Sequence, residues 1–320
     1  MLAQLPAILA QAAPTILSGD LLDQRLAKAA HDARGADAPN TVRTYGAGVR
    51  SFVAWCDGAG IPYALPVAPD ILAAYVDGIG KALAPASVNA YVSAIDRMHR
   101  DLDLPPPGAA QVVRLAKRRL RREKGTAQKQ ARPMGFETIT PVLDAMGDSL
   151  PDLRDAALIA LAYDTLARAS EMVALNVSDI REHAGNHAAY IARSKTDQEG
   201  AGQFRFVAPD TAARVAAWVS AARLEGDNPL FLPLSHAALG ERLSTRDISR
   251  IFKRRVGSSF SAHSTRVGAA VDQLTAKEDT ARIMQAGGWK SPVMVARYTM
   301  QADAQNSAAA SLARKQGRVR

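Results

Sequence analysis

The chain has a single cysteine in 320 residues, Cys56, so no disulfide can form within it and a reducing compartment suits it. Cys56 sits beside Trp55 in a helical stretch, where packing is its expected role. Histidine is scarce as well. Of the six, His183 and His187 are four apart, but the Gly185-Asn186 turn between them breaks the helix that such a pair of metal ligands needs, so no metal is expected. No stretch approaches the ~20 apolar residues of a membrane span. The first 18 residues are apolar but lack a basic leading region, and their longest apolar run, Leu5 to Ala10, is short for a secretory signal. Residues 1–36 are therefore expected to be a flexible arm on a cytoplasmic protein. Acidic residues are in deficit, 31 against 40 lysines and arginines, and the net charge of +9 favours a polyanionic partner.

The remaining chain is long enough for two domains, and 48% hydrophobic residues can supply each with a core. Gly125 to Pro133 breaks the helical periodicity, which gives an N-terminal domain over 37–125, a linker over 126–135 and a second domain over 136–320. The first domain reads as all helix. Asn40 is expected to cap a helix with Val42, Tyr45, Val49, Phe52 and Val53 on one face, and Asp70, Ser87 and Gly108 open or precede three more. The last of these carries seven basic residues between Arg114 and Lys124, among them Lys117, Arg118, Arg119, Arg121 and Arg122. Leu115, Ala116 and Leu120 are expected to pack that helix inward while its cations meet phosphates. The second domain is mixed: Ala188–Ala192 and Gln203–Val207 alternate as a hairpin or small sheet does, within otherwise helical sequence. The fold class expected is mainly α with a small antiparallel β-sheet.

Six residues spread over 130 positions suit the breaking of a phosphodiester: Arg168, Lys195, His263, Arg266, Trp289 and Tyr298. The five-coordinate transition state of that reaction gathers negative charge, so fixed cations must sit where it develops. An arginine fork meets two phosphate oxygens and stays charged at any working pH, which makes Arg168 and Arg266 the clamp candidates. A phenol can hold the strand covalently, although ionising one near pH 7 costs roughly 4 kcal/mol unless cations lie close. Tyr298 is the nucleophile candidate. Lys195 suits protonation of the leaving sugar hydroxyl, and His263 suits transfer of the nucleophile's proton. Glu171, three residues after Arg168, can orient it; a surface helix pair is the plain alternative. Arg168 lies in an apolar helical run, Leu158 to Leu175, and His263 and Arg266 share a face of the next candidate helix. Trp289 suits either indole N–H donation or simple core packing.

The segments Ala162–Glu171, Ile191–Thr196, Ser261–Ala270 and Ile283–Trp289, with Tyr298 nine residues further on, resemble the tyrosine recombinases of the phage integrase family. The resemblance runs from about residue 40 to 298. It implies a two-domain DNA clamp, with a helical core-binding domain and an α+β catalytic domain. It also implies a 3′-phosphotyrosyl intermediate and a Holliday junction, with neither metal nor ATP, and four protomers on two DNA sites. The helix after Tyr298, from Ala302 to Lys315 with Ala304, Ala308 and Leu312 on one stripe, would dock into a neighbour. A bacterial or phage-encoded, nucleoid-associated protein follows. By the same resemblance, the positions facing the major groove are Thr41, Arg43 and Thr44, Ser87 and Asn89, and Arg246 with Ser249. Arg246 is suited to a guanine edge. Thr44, Ala90 and Ser249 depart from the family member that the chain most resembles, so a different target sequence is expected. Two other readings stand beside this one: a type IB topoisomerase, which rejoins the same strand, and a catalytically silent DNA-binding protein.

Overall fold

The computed structural model describes residues 24, 25, 28, 37–62, 64–127, 130–192, 201–234, 241–299 and 307–318. The chain divides into two compact units, Met1–Gln128 and Lys129–Arg320. In the first, the described helices are α1 (Pro39–Ala59), α2 (Pro69–Gly80), α3 (Pro85–Asp101) and α4 (Gln111–Lys124). Three of them open on an Ala-Pro pair, with the alanine extended and proline in the first turn. Proline fits there because its fixed φ is already helical and its missing N–H would have had no helical partner. This corrects the expected starts. Asn40 does not cap α1; it lies inside the helix and its side chain accepts a bond from Arg43 at 3.2 Å. Gly108 lies in a short 3₁₀ turn, Pro107–Ala109, before α4.

The core of this unit joins Phe52 and Cys56 of α1 to Leu72, Tyr75 and Val76 of α2, Val88, Val92 and Ile95 of α3, and Val113, Ala116 and Leu120 of α4. Burial of Cys56 pushes its thiol pKa up to about 11, which keeps it unreactive. Val42 is 57% exposed, because the buried stripe of α1 begins only at Gly48, where a Cβ would stand 2.8 Å from that of Ala94. Leu115 is likewise exposed, and Val113 takes the inward place on α4. The basic residues of α4 face outward apart from a half-buried Lys117; Arg119 pairs with Asp77 at 2.8 Å.

The second unit has α5 (Phe136–Asp144), α6 (Leu150–Asp164) and α7 (Ala169–Ala174), then strands β1 (Ile180–His183), β2 (Asn186–Ile191) and β3 (Gln203–Phe206). Helices α8 (Pro209–Ala221), α9 (Thr245–Arg255), α10 (Ala262–Thr275), α11 (Thr280–Gly287), α12 (Pro292–Thr299) and α13 (Ala308–Lys315) follow. The strands form an antiparallel sheet in the order β1-β2-β3, so the expected mainly helical fold with a small sheet is what is found. Ala184 and Gly185, both with positive φ, make the two-residue turn between β1 and β2. Helix α6 is buried along Arg154–Ala162, with α8 and α10 against it, and Trp218 anchors the large core by donating its indole N–H to the Leu230 carbonyl at 2.7 Å. A smaller apolar cluster gathers Leu166, Val267, Ala270, Ile283, Trp289, Val295 and Tyr298.

His99 of α3 is fully buried and spends both ring nitrogens on backbone: Nε2 accepts from Val67 at 2.9 Å and Nδ1 faces the Ile95 carbonyl at 2.8 Å. Because Val67 N–H can only donate, the ring is neutral with its proton on Nδ1. Burial lowers the His99 pKa below its usual 6.5, against the opposing pull of the Ile95 carbonyl and Asp96. The unfolded chain therefore takes up the proton first as pH falls. The stability held by neutral His99 is present above pH 6.5 and is lost as pH drops through the lowered value. Hydrogen exchange at the amides of α1–α4 should quicken between pH 7.5 and 5.5, after correction for intrinsic exchange, and His99→Gln should flatten that dependence; an identical slope in both proteins would rule out His99 as its source.

Candidate active site

Arg168 is not in a helix interior. The apolar run of Leu158 to Leu175 breaks at Thr165–Ala167, where Leu166 takes a φ of 49°, and Arg168 follows in extended conformation as the residue before α7. The break turns its side chain out of the core to partial exposure, 19%. Glu171 holds it twice, accepting from the Arg168 backbone N–H at 2.9 Å and from Nη1 at 2.6 Å. The carboxylate is buried and its pKa is nonetheless lowered: desolvation pushes it up, and Arg205, with the Arg168 side chain and backbone N–H, more than offsets that.

Arg205, on β3, was not anticipated. In Phe204-Arg205-Phe206 alternation puts the arginine on one face and the phenylalanines on the other, and it is Arg205 that turns inward, while Phe206 is 58% exposed. One Nη1 donates to the Thr165 carbonyl at 3.0 Å and to Glu171 Oε2 at 3.1 Å. The only sequence signal was a cation centred in an alternating strand, and it gains meaning only once Glu171 is known to face it.

Among the described residues Arg266 is the most enclosed arginine, with no exposed surface. Its two terminal nitrogens donate to the carbonyls of Leu166 and Gly287, the latter at 2.7 Å, and its guanidinium lies 4.5 Å from the centre of the Trp289 ring. Desolvation, then Arg168, lowers its pKa to about 10, still far above neutrality, so it remains a cation. Trp289 stacks on Tyr298 at 5.0 Å, and the His263 ring lies 5.3 Å from Tyr298 on its other neighbour α10. Tyr298 is 9% exposed in the last turn of α12, and its carbonyl accepts from Gln130 at 2.8 Å. His263 sits in the first turn of α10, open to solvent as a residue but with its ring crowded; loss of hydration, then Arg266, Arg168 and Arg297, lowers its pKa from 6.5.

The structure thus brings together Arg168, Glu171, His263, Arg266, Trp289 and Tyr298. Lys195 lies outside the described residues, as do Ala302 and Ala304. Trp289 is 5% exposed within the apolar cluster, as its packing alternative has it, and its indole nitrogen has no hydrogen-bond partner in the protein. Among the described residues, four buried side-chain polar atoms lack a partner, and three of them are the Nε of Arg205, the Nε of Arg266 and the Nε1 of Trp289. All three are donors. A cavity of about 330 Å³ is lined by two of these residues, Arg205 and Trp289, together with Gln203, Gln285, Gly288 and Lys290. Among the described residues no group of three or more His, Cys, Asp or Glu stands ready for a metal ion. No described helix is long and apolar enough to cross a membrane.

Of the positions expected to face DNA bases, Arg43, Ser87, Asn89 and Arg246 are exposed, and Thr41, Thr44 and Ser249 are half-buried. The hydroxyls of Thr44 and Ser249 are bonded to carbonyls one turn back, Asn40 at 2.8 Å and Thr245 at 3.0 Å. Leu312 on α13 is 53% exposed, and no residue of that helix is buried.

Arginines, histidine, tryptophan and tyrosine around unmet donors make a site suited to an anion such as a phosphate. Residues 134–305, more than half of the chain, match the phage integrase family, and the chain belongs to it: it is a tyrosine site-specific recombinase, an enzyme that cuts and rejoins DNA. It is 28% identical to the Cre recombinase of Escherichia phage P1 over 287 residues, 81% of this chain and 83% of that protein. It is 29% identical to a XerD-homologous integrase/recombinase of Selenomonas ruminantium over 282 residues, 82% of each. Among solved structures it shares its fold with the XerH site-specific recombinase bound to a palindromic difH substrate, at a TM-score of 0.62 and 16% identity over 84% of this chain and 79% of that one. A lambda integrase dimer on a COC′ core site gives 0.58 and 16% over 87% and 76%.

Helix α10 carries both His263 and Arg266, and its position depends on Gly268, where a Cβ would stand 2.1 Å from the carbonyl carbon and oxygen of Met134. Met134 also donates its N–H to the Ser264 carbonyl at 2.9 Å, so the segment and helix are in backbone contact. Gly268→Ala should destabilise the protein by about 1–3 kcal/mol, as overpacking does, in a urea titration followed by circular dichroism. A change below about 0.5 kcal/mol would mean that the contact yields freely.

Proposed function

We propose that Tyr298 attacks a scissile phosphate and forms a 3′-phosphotyrosyl link, freeing a 5′-hydroxyl that then attacks the equivalent link on a partner duplex through a Holliday junction. The observation that carries this reading is the pair of buried donors without partners beside Tyr298, Arg266 Nε and Trp289 Nε1, in a site where arginines outnumber the single carboxylate of Glu171. A buried N–H left unmet costs about 1–3 kcal/mol, and a phosphate oxygen satisfies it. Arg168 and Arg266 clamp the non-bridging oxygens, and Trp289 Nε1 adds a neutral donor. His263, neutral at working pH because burial and neighbouring cations lower its pKa, takes the Tyr298 proton. Lys195 delivers a proton to the departing sugar oxygen. The bond energy passes from phosphodiester to phosphotyrosine and back, so the steps run without ATP or a metal.

The first unit is the core-binding domain, and the basic face of α4 neutralises phosphates, each adding about −0.9 to the slope of log affinity on log salt. Arg246 and the exposed residues of α1 and α3 read base edges. Four protomers act on two inverted-repeat sites, with α13 docked on a neighbour through Leu312, whose exposure supports that role.

A nicked suicide duplex, carrying a site that the protein selects from a random pool, should trap a covalent adduct in EDTA with wild type and none with Tyr298→Phe. An equal adduct from both would remove Tyr298 as nucleophile, and binding without any adduct would favour a silent DNA-binding protein. The acid limb of the cleavage rate should lie below pH 6.5, because the neutral His263 that the step needs persists below that value. A limb at or above 6.5 would exclude His263 as the base.

A further inference from the structure

Arg205 is a buried cation with no place in the mechanism above. Its side chain and that of Glu171 are each 2% exposed, and a buried ion pair gains little stability over apolar residues of the same volume, so stability alone is a weak reason for it. Its surroundings suggest another. Glu171 divides its two oxygens between two arginines, Oε1 to Arg168 and Oε2 to Arg205. The same Nη1 of Arg205 is fixed to the Thr165 carbonyl, three residues before Arg168. Its Nη2 side faces the turn that delivers Trp289: a Cβ on Gly288, which has a φ of 61°, would lie 2.8 Å from that nitrogen.

We infer that Arg205 is a positioning residue for strand cleavage: by holding the second oxygen of Glu171 and abutting the Gly288 turn, it sets the pose of Arg168 and of Trp289 against the scissile phosphate. The inference rests on the recombinase reading of this site and adds to it a residue on the sheet. It also explains the inverted polarity of β3. A third cation behind the clamp raises the positive potential where a dianionic transition state forms, at the expense of burying a charge on a strand flanked by phenylalanines.

The test uses the full chain, single-turnover adduct formation on the nicked duplex described above, and a second duplex whose scissile phosphate is a methylphosphonate. That substrate has lost one charged non-bridging oxygen and so needs one cation fewer. On the phosphodiester, Arg205→Met should slow adduct formation by about tenfold or more, with duplex affinity within about twofold of wild type, as the loss of one oriented donor predicts. On the methylphosphonate its deficit should shrink in parallel with that of Arg168→Ala. An Arg205→Met protein that cleaves the phosphodiester at the wild-type rate overturns the inference, and so does an equal deficit on both substrates, which is what a purely structural loss gives. Should Arg205→Met not fold, Arg205→Lys keeps the cation and loses the fork, and the same two-substrate comparison decides. Wild type giving no adduct on either duplex would instead bring down the recombinase reading itself.

Discussion

The second unit depends on the burial of one guanidinium. Arg266 reaches from α10 to two carbonyls, Leu166 in the bend before α7 and Gly287 at the end of α11, and carries the Trp289 ring against its face. Three segments distant in sequence are thereby fixed around one charge. Carbonyls at a bend and at a helix terminus have no partner in their own element, so they are free to accept from it. The breaks that look like defects in the helical pattern are what make the arginine bearable, since an enclosed cation without acceptors would be expelled or would unfold its site. The apolar cluster of Val267, Ile283, Trp289 and Tyr298 packs around Arg266, which has no exposed surface, and strengthens its charge.

Much of this was legible in the residues. The order of Arg168, Glu171, His263, Arg266, Trp289 and Tyr298 is a chemical order, and their spacing of three within α10 forces His263 and Arg266 to one side. The β2–β3 pair announced itself through alternation, whereas β1 and the Ala184-Gly185 turn that joins it to β2 were not anticipated beyond a turn at Gly185-Asn186. What was missed shares a physical cause: each error came from reading an element without its partner. Val42 and Leu115 fit an apolar stripe by periodicity, yet they lie exposed, because the buried stripe of α1 begins at Gly48 and Val113 takes the inward place on α4. Arg168 looked like part of a helix because Leu158 to Leu175 is largely apolar, and only the bend at Leu166 separates α6 from α7. Asn40 had the right chemistry for a cap, but Pro39 had already set the first turn, and the same Ala-Pro signal at residues 68–69 and 84–85 was available in the sequence.

Arg205 is the instructive case, because the rule it breaks is a sound one. Charges in strands face water, and phenylalanines face the core, unless a counter-charge waits on the inner side. Glu171 is that counter-charge, 34 residues earlier and on another element. No local pattern can report a pairing of that separation. The violation itself was visible, a lone cation between two aromatics, and such a conflict between local preference and fold marks functional or strained positions more often than ordinary core.

The charge arithmetic of the site gives the last step. Glu171 is shared by Arg168 and Arg205, and its field also reaches Arg266, so three guanidiniums stand against one carboxylate. An isolated protein gains nothing from such an excess: burial, with Arg168 close by, lowers the pKa of both Arg205 and Arg266, and all three side chains are largely or wholly removed from water. The excess is sensible only toward an anion that enters and becomes more anionic as it reacts. A phosphodiester brings one negative charge, and its five-coordinate transition state approaches two, which is the difference between three cations and one carboxylate. On the proposed function, such an excess favours the transition state over the bound substrate, and differential binding of that kind is what accelerates a reaction. On the same proposed function, the unmet donors of Arg266 and Trp289 follow this logic in hydrogen bonds, left for the reacting group rather than the scaffold to complete.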